Sequence, residues 1–305
     1  MAINEESLQQ ELTELFNTND NEEKFDEKFN MTTKKTKLIL SGGGVKGFAH
    51  LGALKALHEL NLLNDIDTYI GTSIGAFIAC LLSIGYLPAE LFEIISGIDL
   101  QKMKRVKLDN LLKLFGLDDG SGTQIILEKM FSAKNISSNI TFQQLYEITK
   151  KKLIVTASCL NDKKAYYYSH DSFPDAPVIL AVRMSMALPL YFAPVKYKNK
   201  TFVDGGCIDN YPIQLFNNCL EQVIGIYLTD VRDTVNEINN IEDMLIQITE
   251  CLFEGIAVNS LKGFEKYSIK ISLGQISIID FQINQTAKQK LFDVGYKAVI
   301  QRCNG

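Results

Sequence analysis

The apolar residues of this chain fall into short continuous runs and into sets spaced three or four positions apart. Residues 37–41, KLILS, form one such run, and apolar residues at helical spacing follow over residues 45–57. A second run at 68–71 precedes an apolar segment that continues to about residue 85. Continuous runs bounded by glycine are typical of buried strands, and the wider spacing is typical of helices that bury one face. The pattern predicts a strand–helix–strand–helix unit built on a parallel sheet.

The same alternation continues almost to the end of the chain. Thr141 and Gln144 have the spacing of a capping box and predict a helix start there. We expect strands at 152–159, 165–169, 201–204, 222–228 and 267–273, and helices at 177–187, 240–262 and 284–302. The sequence therefore predicts one α/β domain over about residues 36–305.

The charge of the chain is concentrated at its N-terminus. The formal net charge is −5, and residues 1–33 hold nine acidic and two basic residues, so the remainder carries +2. A near-neutral body does not favour nucleic-acid binding. We expect residues 1–35 to form an acidic tail that is partly helical or disordered. Apolar residues at helical spacing mark its helical part: Leu8, Leu12, Leu15 and Phe16.

The six cysteines are scattered, without a C-x-x-C pair or a nearby histidine. This distribution predicts no zinc site and no disulfide framework, and it is typical of a reduced cytoplasmic protein. The acidic start, MAINEESLQQ, does not have the form of a secretory signal. Residues 70–87 carry no charge, but their glycines and serines and their short length favour a buried strand–turn–helix over a membrane span.

The segment GTSIG contains a candidate nucleophile, Ser73. Gly71 and Gly75 lie two positions before and after the serine, which allows the sharp strand-to-helix turn of a nucleophile elbow. The backbone N–H of Ile74, at the start of the following helix, would face a substrate bound at the serine. The pattern is short, but its position between a predicted strand and an apolar helix favours a catalytic role.

A glycine run follows the first predicted strand. Gly42, Gly43 and Gly44 expose backbone N–H groups that are suited to an anion, either a phosphate or an oxyanion. The Lys-Ser/Thr ending of a Walker A loop is missing. The dinucleotide pattern G-x-G-x-x-G is present and would place its acidic residue near Asp65 or Asp67. That alternative stays open, but it gives Ser73 no role.

A third motif, DGG, ends the predicted strand at 201–204. Asp204 would lie at the carboxyl end of a strand, where the active sites of α/β proteins are found, and Gly205 and Gly206 follow it. An Asp-Gly pair is also an ordinary turn, so this motif alone does not decide between a structural and a catalytic role.

Together and in this order, GGGVKG, GTSIG and DGG resemble the patatin-like phospholipases. Further similarity comes from FAHLGALKAL, from DNYP and from VRMSMALPLYFAPV, in which Met184 replaces the more usual alanine. The resemblance covers about residues 37–215. It implies a three-layer α/β/α sandwich with a mainly parallel central sheet, related to the catalytic domain of the cytosolic phospholipases.

The resemblance also implies a Ser73–Asp204 dyad, with no histidine as the base. The oxyanion would be held by the glycine-run amides and by Ile74, with Lys46 beside them, and no metal or cofactor would be needed. His50 is expected to be a packed helix residue. The implied function is release of fatty acid from phospholipids or lysophospholipids through an acyl-enzyme on Ser73. Two alternatives are a lipase or transacylase of the same fold and a non-catalytic lipid- or partner-binding protein.

Residues 101–117 combine basic and apolar positions between the elbow helix and the next strand. The pattern predicts either an amphipathic helix on anionic lipid or a surface helix docked on the core. The family resemblance implies a cap over the active site at this place in the chain. The expected location is cytoplasmic with reversible association to a membrane surface. The sequence leaves open the oligomeric state and the need for an activating protein partner.

Overall fold

A computed structural model describes residues 33–99, 105–230, 238–273 and 283–304. The helices in these ranges are α1 (Gly47–Glu59), α2 (Ile74–Ser83), α3 (Pro88–Ser96), α4 (Leu108–Leu114), α5 (Ser121–Ala133), α6 (Phe142–Thr149), α7 (Val178–Ser185), α8 (Ile241–Ser260) and α9 (Gln285–Asn304). The strands are β1 (Lys37–Leu40), β2 (Thr68–Thr72), β3 (Gly116–Asp118), β4 (Lys152–Cys159), β5 (Lys164–Tyr168), β6 (Leu190–Phe192), β7 (Val195–Tyr197), β8 (Lys200–Asp204), β9 (Val223–Asp230) and β10 (Ser268–Leu273).

The central sheet contains eight strands among the described residues. Five neighbouring strands, in the order β10-β9-β1-β2-β4, are parallel, whereas β5, β7 and β8 add antiparallel pairs beyond β4. Strands β3 and β6 form a separate parallel pair. The predicted α/β fold with a mainly parallel central sheet is therefore confirmed.

Alternate residues of each central strand point into two different apolar cores. Leu38 and Leu40 of β1 belong to the larger core, which also contains the buried faces of α1, α2 and α9. Ile39 and Ile70 point to a smaller core with Tyr211 and Val223. Burial on both faces explains why these strands read as continuous apolar runs rather than as alternating ones.

The predicted elements appear within one to three residues of their expected bounds, and the capping box at Thr141 is present. Sequence patterns missed the short strands β3, β6 and β7 and the helices α3 and α5. Within the described part of the amphipathic segment 101–117, which begins at residue 105, the helix covers Leu108–Leu114 and the chain then enters the strand Gly116–Asp118. The prediction of one helix along the whole segment is therefore wrong. Residues 1–32, which hold most of the predicted tail, lie outside the described residues.

Candidate active site

The register of the sheet brings the ends of two distant strands together. Strand β5 pairs with residues 155–159 along one edge of β4. Strands β2 and β8 therefore share the other edge, where β2 runs parallel to β4 and β8 runs antiparallel to it. Thr72, the last residue of β2, pairs with Thr156, and Asp204, the last residue of β8, pairs with Ala157. Because the two strands meet head to head, Ser73 lies next to Asp204.

Ser73 occupies a strained turn between β2 and α2. Its backbone angles are φ 54° and ψ −124°, a conformation that non-glycine residues rarely adopt. The turn fits because the flanking glycines lack side chains. A Cβ atom on Gly71 would lie 2.2 Å from the carbonyl carbon of Gly75, and one on Gly75 would lie 2.4 Å from the carbonyl oxygen of Leu40. The elbow geometry predicted for Ser73 is thus present, and the serine is partly exposed.

The last residue of α7 and the segment that follows it contact both members of the pair. The Ser73 backbone N–H donates to Ser185 Oγ at 2.8 Å, and the Asp204 backbone N–H donates to the carbonyl oxygen of Ala187, also at 2.8 Å. Ser185 and Ala187 are fully buried. Their short separation in sequence fixes the two backbones relative to each other. Sequence reasoning used this segment only as a sign of family resemblance and missed its part in the site.

Asp204 is buried, and its two carboxyl oxygens differ in their surroundings. Oδ1 accepts the Gly206 backbone N–H at 2.8 Å, whereas Oδ2 has no hydrogen-bond partner among the described residues. Burial raises the pKa of Asp204 from its usual 3.8 to about 7, although the Ser73 hydroxyl and the Gly206 amide partly oppose this rise. An acid–base group with a pKa near 7 suits proton transfer at neutral pH.

The glycine run curves over the elbow. A Cβ atom on Gly42 would lie 3.2 Å from Ser73 Cβ. The Gly42 amide is already occupied, because it contacts the side-chain oxygen of Asn210 at 3.2 Å and its backbone oxygen at 3.3 Å. Gly43 and Gly44 are partly exposed, and no backbone hydrogen bond from their amides or from that of Ile74 is found within the described ranges. The amides open to an anion therefore belong to these three residues.

Two buried polar side chains anchor the start of the glycine run. His50 Nε2 lies 2.8 Å from the carbonyl oxygen of Ser41, and burial lowers the pKa of His50 to about 4, so the ring is neutral and donates this hydrogen bond. Ser41 Oγ accepts the Leu228 backbone N–H at 3.0 Å. The expectation that His50 is a packed helix residue agrees with this geometry. Lys46 is also buried, in the short turn that leads into α1.

A second buried carboxylate, Asp209, supports the loop that follows strand β8. Asp209 Oδ2 accepts the Tyr167 hydroxyl and the Gln214 side-chain amide, both at 2.6 Å. The backbone oxygen of Asp209 accepts the Thr72 hydroxyl at 3.1 Å. These contacts link the loop to β5 and to the end of β2, next to Ser73. The DNYP motif holds the site together through Asp209 and Asn210, a role that its sequence did not reveal.

Comparison with known proteins places this geometry in a family. The profile of the patatin-like phospholipases matches residues 38–217. The chain belongs to the patatin-like phospholipase family. An uncharacterized protein of Acanthamoeba polyphaga mimivirus is 31% identical over 87% of this chain and 92% of its own length. A probable lipid hydrolase of Invertebrate iridescent virus 6 is 37% identical over 58% of this chain and 62% of its own length.

A solved structure has a fold similar to that of this chain. The crystal structure of VipD from Legionella pneumophila covers 89% of this chain and 67% of its own chain, with a TM-score of 0.60 and 17% identity. At this identity the likeness concerns the fold alone.

The remaining histidines of this patatin-like chain are His58 and His170, and among the described residues neither makes a hydrogen bond, ion pair or ring contact with Ser73 or Asp204. His170 stacks on Tyr146 with ring centroids 3.8 Å apart, and its Nε2 lies 3.1 Å from Asp171 Oδ1. His58 lies in the last turn of α1. Within the part of the chain that the structure describes, no group of three or more His, Cys, Asp or Glu side chains is arranged to hold a metal ion. None of the described helices has the length and apolarity needed to cross a membrane.

Residues of α4, α8 and the β3–β6 pair pack together in a small apolar core, and α8 reaches the DGG turn. Arg183 of α7 is buried and donates to the backbone oxygens of Asp119 and Ala193, at 2.8 and 3.1 Å. These contacts tie the ends of β3 and β6 to α7, whose Ser185 accepts the Ser73 amide. Phe253 of α8 lies over the DGG turn, because a Cβ atom on Gly206 would be 3.3 Å from its ring. No sequence motif pointed to Phe253.

Proposed function

We propose that this patatin-like protein is a serine acyl-ester hydrolase that releases fatty acid from phospholipids or lysophospholipids. The proposal depends on one observation: Ser73 lies next to Asp204, where the carboxyl ends of β2 and β8 come together on β4. A partly exposed hydroxyl on a strained elbow lies beside a buried carboxylate whose Oδ2 has no partner in the described residues. Covalent catalysis by serine requires this combination of exposure and an adjacent base.

The reaction has two steps. In the first, Ser73 Oγ attacks the ester carbonyl carbon as Asp204 takes the hydroxyl proton, and the carbonyl oxygen becomes an oxyanion. The intermediate collapses to an acyl-enzyme, and Asp204 returns the proton to the departing alcohol. In the second step, Asp204 takes a proton from water while the water oxygen attacks the acyl carbonyl carbon. The bond between Ser73 Oγ and the acyl group then breaks, and Asp204 returns the proton to Ser73 Oγ. The fatty acid is released, and Ser73 and Asp204 are restored.

The oxyanion needs donors that are already oriented before the reaction. The unoccupied amides of Gly43, Gly44 and Ile74 are suited to this role, at a helix start where the dipole favours negative charge. The Gly42 amide is bound to Asn210, so we assign Gly42 to the shape of the loop rather than to oxyanion binding. Lys46 lies beside the loop as a flanking positive charge.

The substrate class is supported by relatives rather than by a bound ligand. One relative is named a probable lipid hydrolase, and another, from Rattus norvegicus, a patatin-like phospholipase domain-containing protein. A yeast relative, 28% identical over 60% of this chain, is named triacylglycerol lipase 4, which keeps neutral lipids as the second candidate substrate. The two substrates share the acyl ester that the site would cleave, and differ in the alcohol that leaves.

The test is fatty-acid release from phospholipid, lysophospholipid and triacylglycerol substrates, with and without a chelator. We expect Ser73→Ala and Asp204→Asn each to abolish release, and chelation to change nothing. Ser83→Ala is the matched control, since Ser83 lies at the far end of α2 and donates only to the Cys80 carbonyl oxygen. Release by Asp204→Asn at a near-native rate would remove Asp204 as the base. Silence of the native protein toward every ester would favour the non-catalytic alternative.

A further inference from the structure

The side chain of Asn210 fills the space between the glycine run and the DGG turn. A Cβ atom on Gly42 would lie 2.3 Å from Asn210 Oδ1, and a Cβ atom on Gly206 would lie 3.0 Å from the same oxygen. The Gly42 position is also 3.2 Å from Ser73 Cβ, and the Gly206 position is 3.2 Å from Asp204 Oδ1. Asn210 is therefore close to both Ser73 and Asp204, and it fits there because the two glycines have no side chains.

The hydrogen bond to the glycine run decides which end of the Asn210 amide is free. The Gly42 backbone N–H donates to Asn210 Oδ1 at 3.2 Å. Because a backbone N–H only donates, the atom that faces it is the oxygen, and Nδ2 is the other end of the amide. Nδ2 has no hydrogen-bond partner within the described ranges, and Asn210 is partly exposed. The side chain thus offers N–H donors beside the candidate nucleophile.

The residues on both sides of Asn210 are anchored, so its side chain is held in position. Asp209 Oδ2, before it, accepts the Tyr167 hydroxyl at 2.6 Å. Tyr211, after it, is fully buried, and its hydroxyl lies 2.7 Å from Ser268 Oγ. A donor that is fixed before the substrate arrives loses little freedom on binding, so its hydrogen bond contributes more to recognition.

An acyl ester offers two kinds of oxygen to such a donor, because the fatty acyl chain itself carries no acceptor. One is the carbonyl oxygen, for which the open amides of the glycine run and the elbow are already available. The other kind belongs to the alcohol half of the substrate. Asp204 returns its proton to the departing alcohol, so this half lies towards Asp204 and the Gly206 turn that Asn210 contacts.

We propose that Asn210 is a specificity-determining residue whose Nδ2 donates a hydrogen bond to an oxygen of the alcohol half of the substrate. The proposal rests on the proposed ester hydrolysis and names the class of ester that it prefers. Esters of glycerol or of a glycerol phosphate carry further oxygens beside the scissile bond, whereas esters of simple alcohols do not. A neutral amide can donate to a hydroxyl, an ester or a phosphate oxygen, and it leaves no partner unpaired only with the first class.

The test compares three soluble esters that share the butyryl group: glyceryl monobutyrate, butyryl glycerophosphocholine and propyl butyrate. Asn210→Asp keeps an oxygen for the Gly42 N–H and removes the Nδ2 donors, whereas Asn210→Leu removes both. Asn218→Asp and Asn218→Leu are the matched controls, at an exposed position of the same loop region. The quantity measured is kcat/KM of each glycerol ester divided by kcat/KM of propyl butyrate. Changes that affect every ester alike, including the charge added by Asn210→Asp, cancel in this ratio.

We expect both Asn210 variants to lower this ratio by about threefold to tenfold, which corresponds to the loss of one neutral hydrogen bond. The Asn218 variants should leave the ratio unchanged. A fall with either glycerol ester supports the proposal, and the larger fall identifies the bound oxygen as a hydroxyl or a phosphate oxygen. A ratio that falls in Asn210→Leu but not in Asn210→Asp would overturn the proposal, because then only the hold on Gly42 would matter. An unchanged ratio with equal losses for all three esters would also overturn it and would assign Nδ2 to the oxyanion.

A binding measurement tests the same contact without turnover. The ether 1-O-hexylglycerol cannot be hydrolysed, and calorimetry gives its affinity for Ser73→Ala with and without Asn210→Leu. We expect the double variant to bind about threefold to tenfold more weakly. Equal affinity, or binding to neither protein, would overturn the proposal. Binding that depends on Asn210 in a native chain that cleaves none of the esters would reject the proposed function alone.

Discussion

The buried carboxyl of Asp204 makes the stability of this protein depend on pH in an unusual direction. Burial raises the pKa of Asp204 from 3.8 to about 7, so the folded protein holds this proton more tightly than the unfolded chain does. A group of this kind contributes stability that is fully present below pH 3.8 and is lost as the pH rises through about 7. Most carboxylates of a folded protein act in the opposite direction.

The magnitude follows from the size of the shift. A change from 3.8 to about 7 corresponds to about 4 kcal/mol of unfolding free energy once the carboxyl is fully ionised. Roughly 2–3 kcal/mol of this loss falls between pH 5 and pH 8. Asp204→Asn keeps an oxygen that accepts the Gly206 amide and removes the charge. We therefore expect this variant to be more stable than the native protein at pH 8, with the difference much reduced at pH 5.

Urea unfolding of the native protein and of Asp204→Asn at several pH values between 4 and 9 measures this difference. All other titrating groups are common to both proteins, so the pH dependence of the difference between their free energies of unfolding reports the titration of Asp204. A difference that stays constant between pH 5 and pH 8 would refute the burial argument and, with it, the assignment of a base with a pKa near 7.

Three further predictions test the surroundings of Ser73 and Asp204. Gly75→Ala places a Cβ atom 2.4 Å from a β1 carbonyl oxygen, so this variant should lower the free energy of unfolding by roughly 1–3 kcal/mol. Gly255→Ala is the control, because a Cβ atom on Gly255 of α8 meets open space and should raise the free energy of unfolding by about 0.5–1 kcal/mol. Urea titration measures both changes. Ser185→Ala removes the acceptor of the Ser73 amide and should lower kcat about tenfold to a hundredfold with KM unchanged. A rise in KM of the same size with kcat unchanged would mean that substrate binding was lost instead. His50→Leu removes the hydrogen bond to the Ser41 carbonyl oxygen and should lower kcat, whereas His50→Gln should restore kcat because its side-chain amide can donate the same bond. Because His50 is neutral above pH 5, neither substitution should move the midpoint of the pH–rate profile. A shifted midpoint would make His50 a titrating catalytic group.

Much of the fold could be predicted because apolar runs indicate buried strands and helically spaced apolar residues indicate helices. The runs at 37–41 and 152–159 became β1 and β4, and the helically spaced segments became α1 and α9. The short strands β3, β6 and β7 were missed, since three residues do not establish a period. The amphipathic segment at 101–117 was interpreted as a single helix, but the chain leaves the helix at Phe115, which has a left-handed φ of 63°, and enters β3.

The sequence by itself determined the chemical parts of the site: a serine between glycines after one strand, a glycine run after another and an aspartate at the end of a third. Local patterns can do this because strand ends and glycine turns depend on neighbouring residues. Only the tertiary structure brought Ser73 and Asp204, about 130 positions apart, to the same edge of β4. Strand register and burial depend on contacts between distant segments, so the raised pKa of Asp204, the occupied Gly42 amide and the contact of Ser185 with Ser73 follow from packing rather than from any motif.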